Sequence, residues 1–308
     1  MPIQTRKEET TRAAADIIAS EDYRSGYQSA GYVLLPDLLP DATLARLRAV
    51  TDAIVATAAT ATEHTEILDL EPGHTQEAPR VRRIKRPHLA HDFYLELAAD
   101  PHIMAALTPL IGPDIRLRAG GKINMKSADY GAAVEWHQDW AFYPHTNQNV
   151  LAVGIMLDDM TLDNGPLMMM PGSHTGPVLD HHAEGAFCGA IDMTRDPVDI
   201  RRATHITAPA GSITVHHARL IHGSAMNHSS SPRRVLFFEY AAADAWPLAG
   251  VETLHDLDEF NSRIVQGQAT LQPRLENVPV RMPLPIARFQ GSIYENQRQL
   301  GNRFFDND

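Results

Sequence analysis

From Asp114 to about residue 242 the chain breaks into short runs rich in β-formers: IRLRAGGKINMK, AAVEWHQDW, VLAVGIMLDD, GPLMMMPGSH, GSITVHHARLIH and RRVLFFEYAA. Glycine, proline and asparagine punctuate them. Several short strands with such turn signals predict a sandwich or closed barrel, jelly roll included. The one long interruption is 171–204, rich in His, Asp and Gly; loops of that length inside a compact unit tend to carry function. Upstream the pattern is helical. Residues 8–19 have helix-forming composition, 31–39 (GYVLLPDLL) read as a strand turning at Pro36, and 42–59 place apolar residues at helical spacing behind a start signal at Pro40-Asp41. Residues 60–80 are polar and without period, which predicts a mobile loop. A helical pair follows at 91–99 and 101–111, the second opened by Asp100-Pro101 and closed by Gly112-Pro113. Past residue 242 come a predicted helix near 256–266, a proline-rich stretch (Pro279, Pro283, Pro285) and a polar end. With no internal repeat, one domain is the simplest account: a helical part over about 1–112, a β core over about 113–242 and an extension over 243–308.

Composition narrows the class. Hydrophobic residues make up 44% of the 308 positions and charged ones 21%, enough to bury a sizeable core. The net charge of −11 argues against nucleic acid or an anionic membrane as partner, since both need a positive footprint. No run approaches the roughly 18 apolar residues a membrane span needs. The N-terminus lacks the apolar core of a secretory signal. Cys188 is the single cysteine, so no internal disulfide can form and a cytoplasmic setting is expected.

The chemistry concentrates at Val134-Glu135-Trp136-His137-Gln138-Asp139-Trp140. In a strand, side chains two apart share a face, so His137 and Asp139 point together into the barrel while Trp136, Gln138 and Trp140 face outward. An imidazole beside a carboxylate is two-thirds of a two-His-one-carboxylate metal site, which leaves three adjacent positions free on the metal. A second histidine downstream would complete it. His216, His217 and His222 all compete, and in one unbroken strand His216 and His222 share a face, so periodicity does not choose. The next strand opens with Arg233-Arg234, whose planar fork matches a carboxylate. A dicarboxylic co-substrate needs such a cation opposite the metal.

HQDWAFYP, DNGPLMMMPGSH and HGSAMNHSSSPRR together resemble the phytanoyl-CoA dioxygenase (PhyH) family of Fe(II)/2-oxoglutarate oxygenases, over roughly 80–240. The resemblance implies a mainly β fold with flanking helices around a double-stranded β-helix (jelly-roll, cupin-like) core. It implies Fe(II), 2-oxoglutarate and O2 as cofactor and co-substrates, with iron on His137, Asp139 and His222. The family's 2-oxoglutarate arginine lies eleven positions after the second histidine, which selects Arg233, and the helper serine falls on Ser224. A basic residue upstream aligns, across a one-residue gap, with Lys85. Related halogenases replace the carboxylate ligand with a small residue; Asp139 points to oxygen transfer. The expected reaction is hydroxylation of an unactivated C–H in a small organic substrate by a monomer or homodimer. The alternatives are desaturation, cyclisation or epimerisation, or a non-catalytic metal-binding jelly roll.

Other features carry milder expectations. Asp180-His181-His182 reads as solvated or substrate-facing in place of a second metal site. Met168-Met169-Met170 reads as core filler, Phe142 and Tyr143 as lining the mouth, and Arg234 as an outward ion-pair former. The basic run Arg80 to Arg86 reads as a solvated or ion-paired face, and loops 60–80 and 171–204 as lid elements.

Overall fold

The computed structural model describes residues 16–128, 131–251, 254–289 and 293–305. Most of the expected 8–19 helix lies outside these; residues 16–19 are helical. Six helices follow: α1 (Glu21–Ala30), α2 (Asp41–Ala56), α3 (Phe93–Ala98), α4 (Pro101–Ile111), α5 (Leu257–Asn261) and α6 (Ile293–Gln297). The strands are β1 (Tyr32–Leu35), β2 (Leu68–Leu70), β3 (Val81–Lys85), β4 (Ile115–Lys126), β5 (Val134–His137), β6 (Val150–Met156), β7 (Leu167–Met169), β8 (His182–Ala183), β9 (Ala186–Phe187), β10 (Thr204–His205), β11 (Ile213–His217), β12 (His222–Ser224), β13 (Arg233–Ala242) and β14 (Ile264–Gln266). At α4 the Asp100 carboxylate accepts from the His102 amide at 2.8 Å and Pro101 occupies the first turn, as the sequence predicts.

Two antiparallel sheets face each other. The larger runs β1-β11-β6-β13-β4-β3-β2, with β14 added on β4; the smaller runs β10-β7-β12-β5. Period-two alternation divides each long strand between two environments. On β6 and β13, Leu151, Val153, Ile155, Leu236, Phe238 and Tyr240 point away from the smaller sheet into a core shared with α1 to α4. Their alternates Met156, Val235 and Phe237 pack inward with Leu167 and Met169 of the smaller sheet. The inward face thus becomes the interior of a jelly-roll barrel. This is the double-stranded β-helix the resemblance implies, helices flanking one side.

Three expectations are corrected. Residues 60–80 are not a structureless loop: β2 lies within them and pairs with β3. The basic run is ion-paired, as one form of its expectation had it, but not solvated along its middle: Val81 to Lys85 form β3, and Arg82 and Arg83 are buried, paired with Glu295 and Asp69 respectively. The 256–266 helix is only α5, after which the chain extends into β14.

The outward face of the metal-motif strand is not solvent either. Trp136, Gln138 and Trp140 have no exposed surface. The C-terminal segment covers the two tryptophans: Phe305 stacks on Trp136 with ring centroids 5.9 Å apart, and Trp140 donates its indole N–H to the Pro279 carbonyl at 2.9 Å. Glu135 accepts the amides of Phe304 and Phe305, and its own amide is taken by Gln297. Among the described residues no helix is long and apolar enough to cross a membrane.

Glu71, just past β2, is buried with one carboxylate oxygen lacking a hydrogen-bond partner. Burial raises its pKa from 4.5 to about 7, against the pull of Arg82, Lys126, Arg80 and Arg298. Between those values the native protein holds a proton that the unfolded chain has lost, so this group's effect on stability worsens as pH rises through that window. Glu71→Gln should therefore raise the melting temperature at pH 8 more than at pH 5, measured by calorimetry; equal effects at both would contradict it.

Candidate metal centre

β5 and β12 are neighbours in the smaller sheet, and His222 stands directly opposite His137 in their register. Their rings approach to 4.2 Å between centroids. β5 ends at His137, but Gln138 keeps an extended backbone (φ −119°, ψ 125°), so the alternation persists one step and Asp139 returns to the side of His137. The His137 Nε2 lies 3.7 Å from Asp139 Oδ1. One ligand atom from each of His137, Asp139 and His222 lies within 4.8 Å of the others, and all three residues are buried.

The backbone fixes the tautomers. His137 Nδ1 meets the Glu135 carbonyl at 2.7 Å and His222 Nδ1 meets the Leu220 carbonyl at 2.9 Å. A carbonyl only accepts, so each Nδ1 carries the proton and each Nε2 lone pair is left for a metal. Burial holds both imidazoles below their ordinary pKa, which keeps them neutral. Burial would push the Asp139 carboxyl up, but His216, His222, Lys122 and His137 hold it well below the carboxylate range. Two neutral nitrogens and one carboxylate are the donor set of a facial non-haem iron site. His216, the rival ligand, comes from the opposite sheet; its Nε2 lies 3.5 Å from Asp139 Oδ2, beside the triad and outside it.

The triad borders a cavity of about 380 Å³. Arg233 and Ser224 both line it and are buried. Arg233 donates Nε to the Gly165 carbonyl at 3.1 Å, and burial brings its pKa down to about 10. Lys85 is not brought there: its ammonium binds Asp69 at 2.9 Å and the Thr65 carbonyl at 2.7 Å, and it is absent from the lining. Two lysines of β4 line the cavity instead, Lys122 and Lys126, and Lys126 stands directly opposite Arg233 in the β4–β13 register. It is 1% exposed and donates to the carbonyls of Ala132, Ser224 and Ala225. Burial, then the Arg233 charge, pushes its pKa well down. Two buried basic groups thus stand side by side, with no carboxylate among the described residues within ion-pair distance of either and the Glu71 carboxylate acting on Lys126 from beyond it, an arrangement able to seat an anionic group. Lys126 escaped the sequence reading although IRLRAGGKINMK carries the signal: lysines at 122 and 126 and Asn124 share one strand face.

Arg234 points outward, paired with Asp158 at 2.8 Å and Asp52 at 2.5 Å. Asp180 and His182 pair at 2.8 Å, with Arg195 and Arg281 on the same carboxylate, an ion-pair cluster in place of solvated side chains. His181 is buried, and its Nε2 accepts the Gln138 amide at 2.9 Å, bracing the metal segment. Met168, Met169 and Met170 are packed in the core and line none of the cavity. Phe142 and Tyr143 do line it, as do Phe187 and Cys188 from 171–204 and residues from Pro283 to Asn296; 60–80 contributes nothing.

Fold and donor geometry together define a jelly-roll oxygenase of the non-haem iron type. The phytanoyl-CoA dioxygenase (PhyH) family model matches residues 27–235. A protein of Stutzerimonas stutzeri described as "Probable alpha-ketoglutarate-dependent hypophosphite dioxygenase" is 39% identical over 78% of this chain and 84% of its own length. An L-proline trans-4-hydroxylase from Streptomyces griseoviridis is 29% identical over 71% and 85%. Among solved structures, EctD from S. alaskensis with 2-oxoglutarate and 5-hydroxyectoine superposes with a TM-score of 0.63 at 21% identity, over 87% of this chain and 89% of that one, a likeness of fold. The chain belongs to the PhyH family. It is an Fe(II)- and 2-oxoglutarate-dependent dioxygenase acting on a small molecule. His222→Ala should abolish turnover and stoichiometric Fe(II) binding, read by anaerobic metal titration; retained binding would move the site.

Proposed function

We propose that His137, Asp139 and His222 hold the iron, and that Arg233, Lys126 and Ser224 seat the distal carboxylate of 2-oxoglutarate, in a single catalytic domain that hydroxylates a small substrate. The observation that carries this reading is the facing pair of features in one cavity: a buried two-His-one-carboxylate triad and, along the barrel wall, two buried cations lacking a carboxylate. When bound, the metal and co-substrate supply a strong oxidant from O2, releasing succinate and CO2. The chain's own residues position and protect. The Glu135 and Leu220 carbonyls fix both imidazoles, and Phe142 packs edge-on against His137 with ring centroids 6.0 Å apart. Aromatic walls from the half-buried Phe142 and the buried Phe187, packed edge to face, keep water from the reacting centre. Relatives named for proline and hypophosphite support a compact substrate, and the lone buried Cys188 supports a reducing, cytoplasmic setting.

Anaerobic titration of the Fe(II) protein with 2-oxoglutarate tests the assignment through the metal-to-ligand charge-transfer band. Lys126→Met and Arg233→Ala should each weaken 2-oxoglutarate binding by about tenfold or more, the worth of a charge-assisted hydrogen bond. Lys85→Met should leave it unchanged. The reverse pattern would restore the role to Lys85.

A further inference from the structure

The cavity holds a second polar group that neither the metal nor 2-oxoglutarate accounts for. Glu239 stands on the inward face of β13, the same face as Arg233 and Phe237, and is buried. Its carboxylate is fully engaged: Arg118 donates Nε at 2.9 Å and Nη2 at 2.5 Å to one oxygen, and Lys122 donates Nζ at 3.1 Å to the other. The β4–β13 register shifts on both sides of Glu239, and Gly121, at φ +88°, takes a conformation that side chains resist. Bulges of this kind re-aim side chains beside active sites. Here Arg118 and Lys122, four residues apart, are both brought to bear on one inward carboxylate.

The cluster therefore carries two cations and one anion, a net positive charge beside the metal ligands. Arg118 lies 3.7 Å over the Tyr143 ring. Tyr143 is buried and lines the cavity; its hydroxyl lies on the side of Asp139 without a hydrogen bond of ordinary geometry to any protein group. A neutral phenol carries one proton to donate. A buried, unsatisfied hydroxyl costs free energy unless a ligand meets it. Elsewhere near the mouth the lining is apolar: Phe142, Phe187, Pro283, Ile286 and Phe289.

We propose that Arg118, Lys122 and Tyr143 form the substrate's anchor, and that it takes the oxyanion group of a compact molecule, a carboxylate, phosphinate or phosphonate. The positive cluster attracts the charge, Tyr143 supplies the donor, and Glu239 holds both cations in place. The cavity of about 380 Å³ must also admit 2-oxoglutarate, so the remainder suits a small body. This inference rests on the iron and 2-oxoglutarate reading above.

The test uses the anaerobic Fe(II) enzyme saturated with 2-oxoglutarate. Sodium hypophosphite, methylphosphonate and acetate are titrated against acetamide and methylammonium, following the charge-transfer band and, independently, heat by calorimetry. At least one anion should perturb the band, and which one separates the carboxylate from the phosphorus acids. Its Kd should rise about tenfold in Arg118→Gln and severalfold in Tyr143→Phe, with 2-oxoglutarate affinity unchanged in both. Tyr143→Phe removes one hydroxyl and keeps the packing, so it answers the question even if Arg118→Gln, which strands Glu239, fails to fold. Equal anion affinity in wild type and Tyr143→Phe overturns the anchor, as does binding only of the neutral or cationic probes, or of none, while the band forms normally. A band that never forms sinks the underlying reading instead, and the anchor with it.

Discussion

The pairing of β5 with β12 sets everything else in this molecule. Because strand side chains alternate, a slip of one residue would turn His222 to the outer face and leave His137 and Asp139 with no third ligand. The register is held from both sides. β7 pairs with β12 so that Met169 sits opposite His222, and the inward methionine packs in the barrel core with Met156, Val235 and Phe237. On the other flank His181 takes the Gln138 amide, and the Gln138 side chain donates to the Pro177 and Arg219 carbonyls. The segment between the first two ligands is thus fastened by hydrogen bonds between side chains and backbone, and ligand geometry is set before any metal arrives.

Electrostatics gives the cavity its direction. At one end Arg233 and Lys126 are buried beside each other with only carbonyl acceptors; at the other, Arg118 and Lys122 share Glu239. Burying unpaired charge is expensive, and a fold retains it where a ligand supplies the missing counter-charge. Between the two ends the inward positions of the larger sheet are small or neutral, Ala152 on β6 and Phe237 on β13, which leaves open space. A protein of net charge −11 thus gathers these four basic side chains along one barrel interior.

Much of this was legible in the residues. The turn-punctuated β runs gave the jelly roll, and His137, Asp139 and His222 converge as alternation and the downstream motif imply. Failures have physical causes. Lys85 aligned in sequence, but Asp69 on the neighbouring strand β2 captures it, an ion pair that a linear reading does not see. Lys126 was hidden in a strand that reads as generic β. Glu239 looked like one charge in an apolar run, and its partners come from another strand. Trp136 and Trp140 were correctly placed on the outer face, but the cover over that face comes from residues far along the chain.

That cover bears on how the protein is made. Phe304 reaches back to Glu135 across 169 residues of sequence to close over the strand that carries the first two ligands. On a ribosome, the ligand strand would emerge long before its lid of aromatic rings. A nascent chain could gather its helices and most of the larger sheet while that strand's back remained wet. The back of the ligand strand therefore closes only once residues 304 and 305 have docked on it.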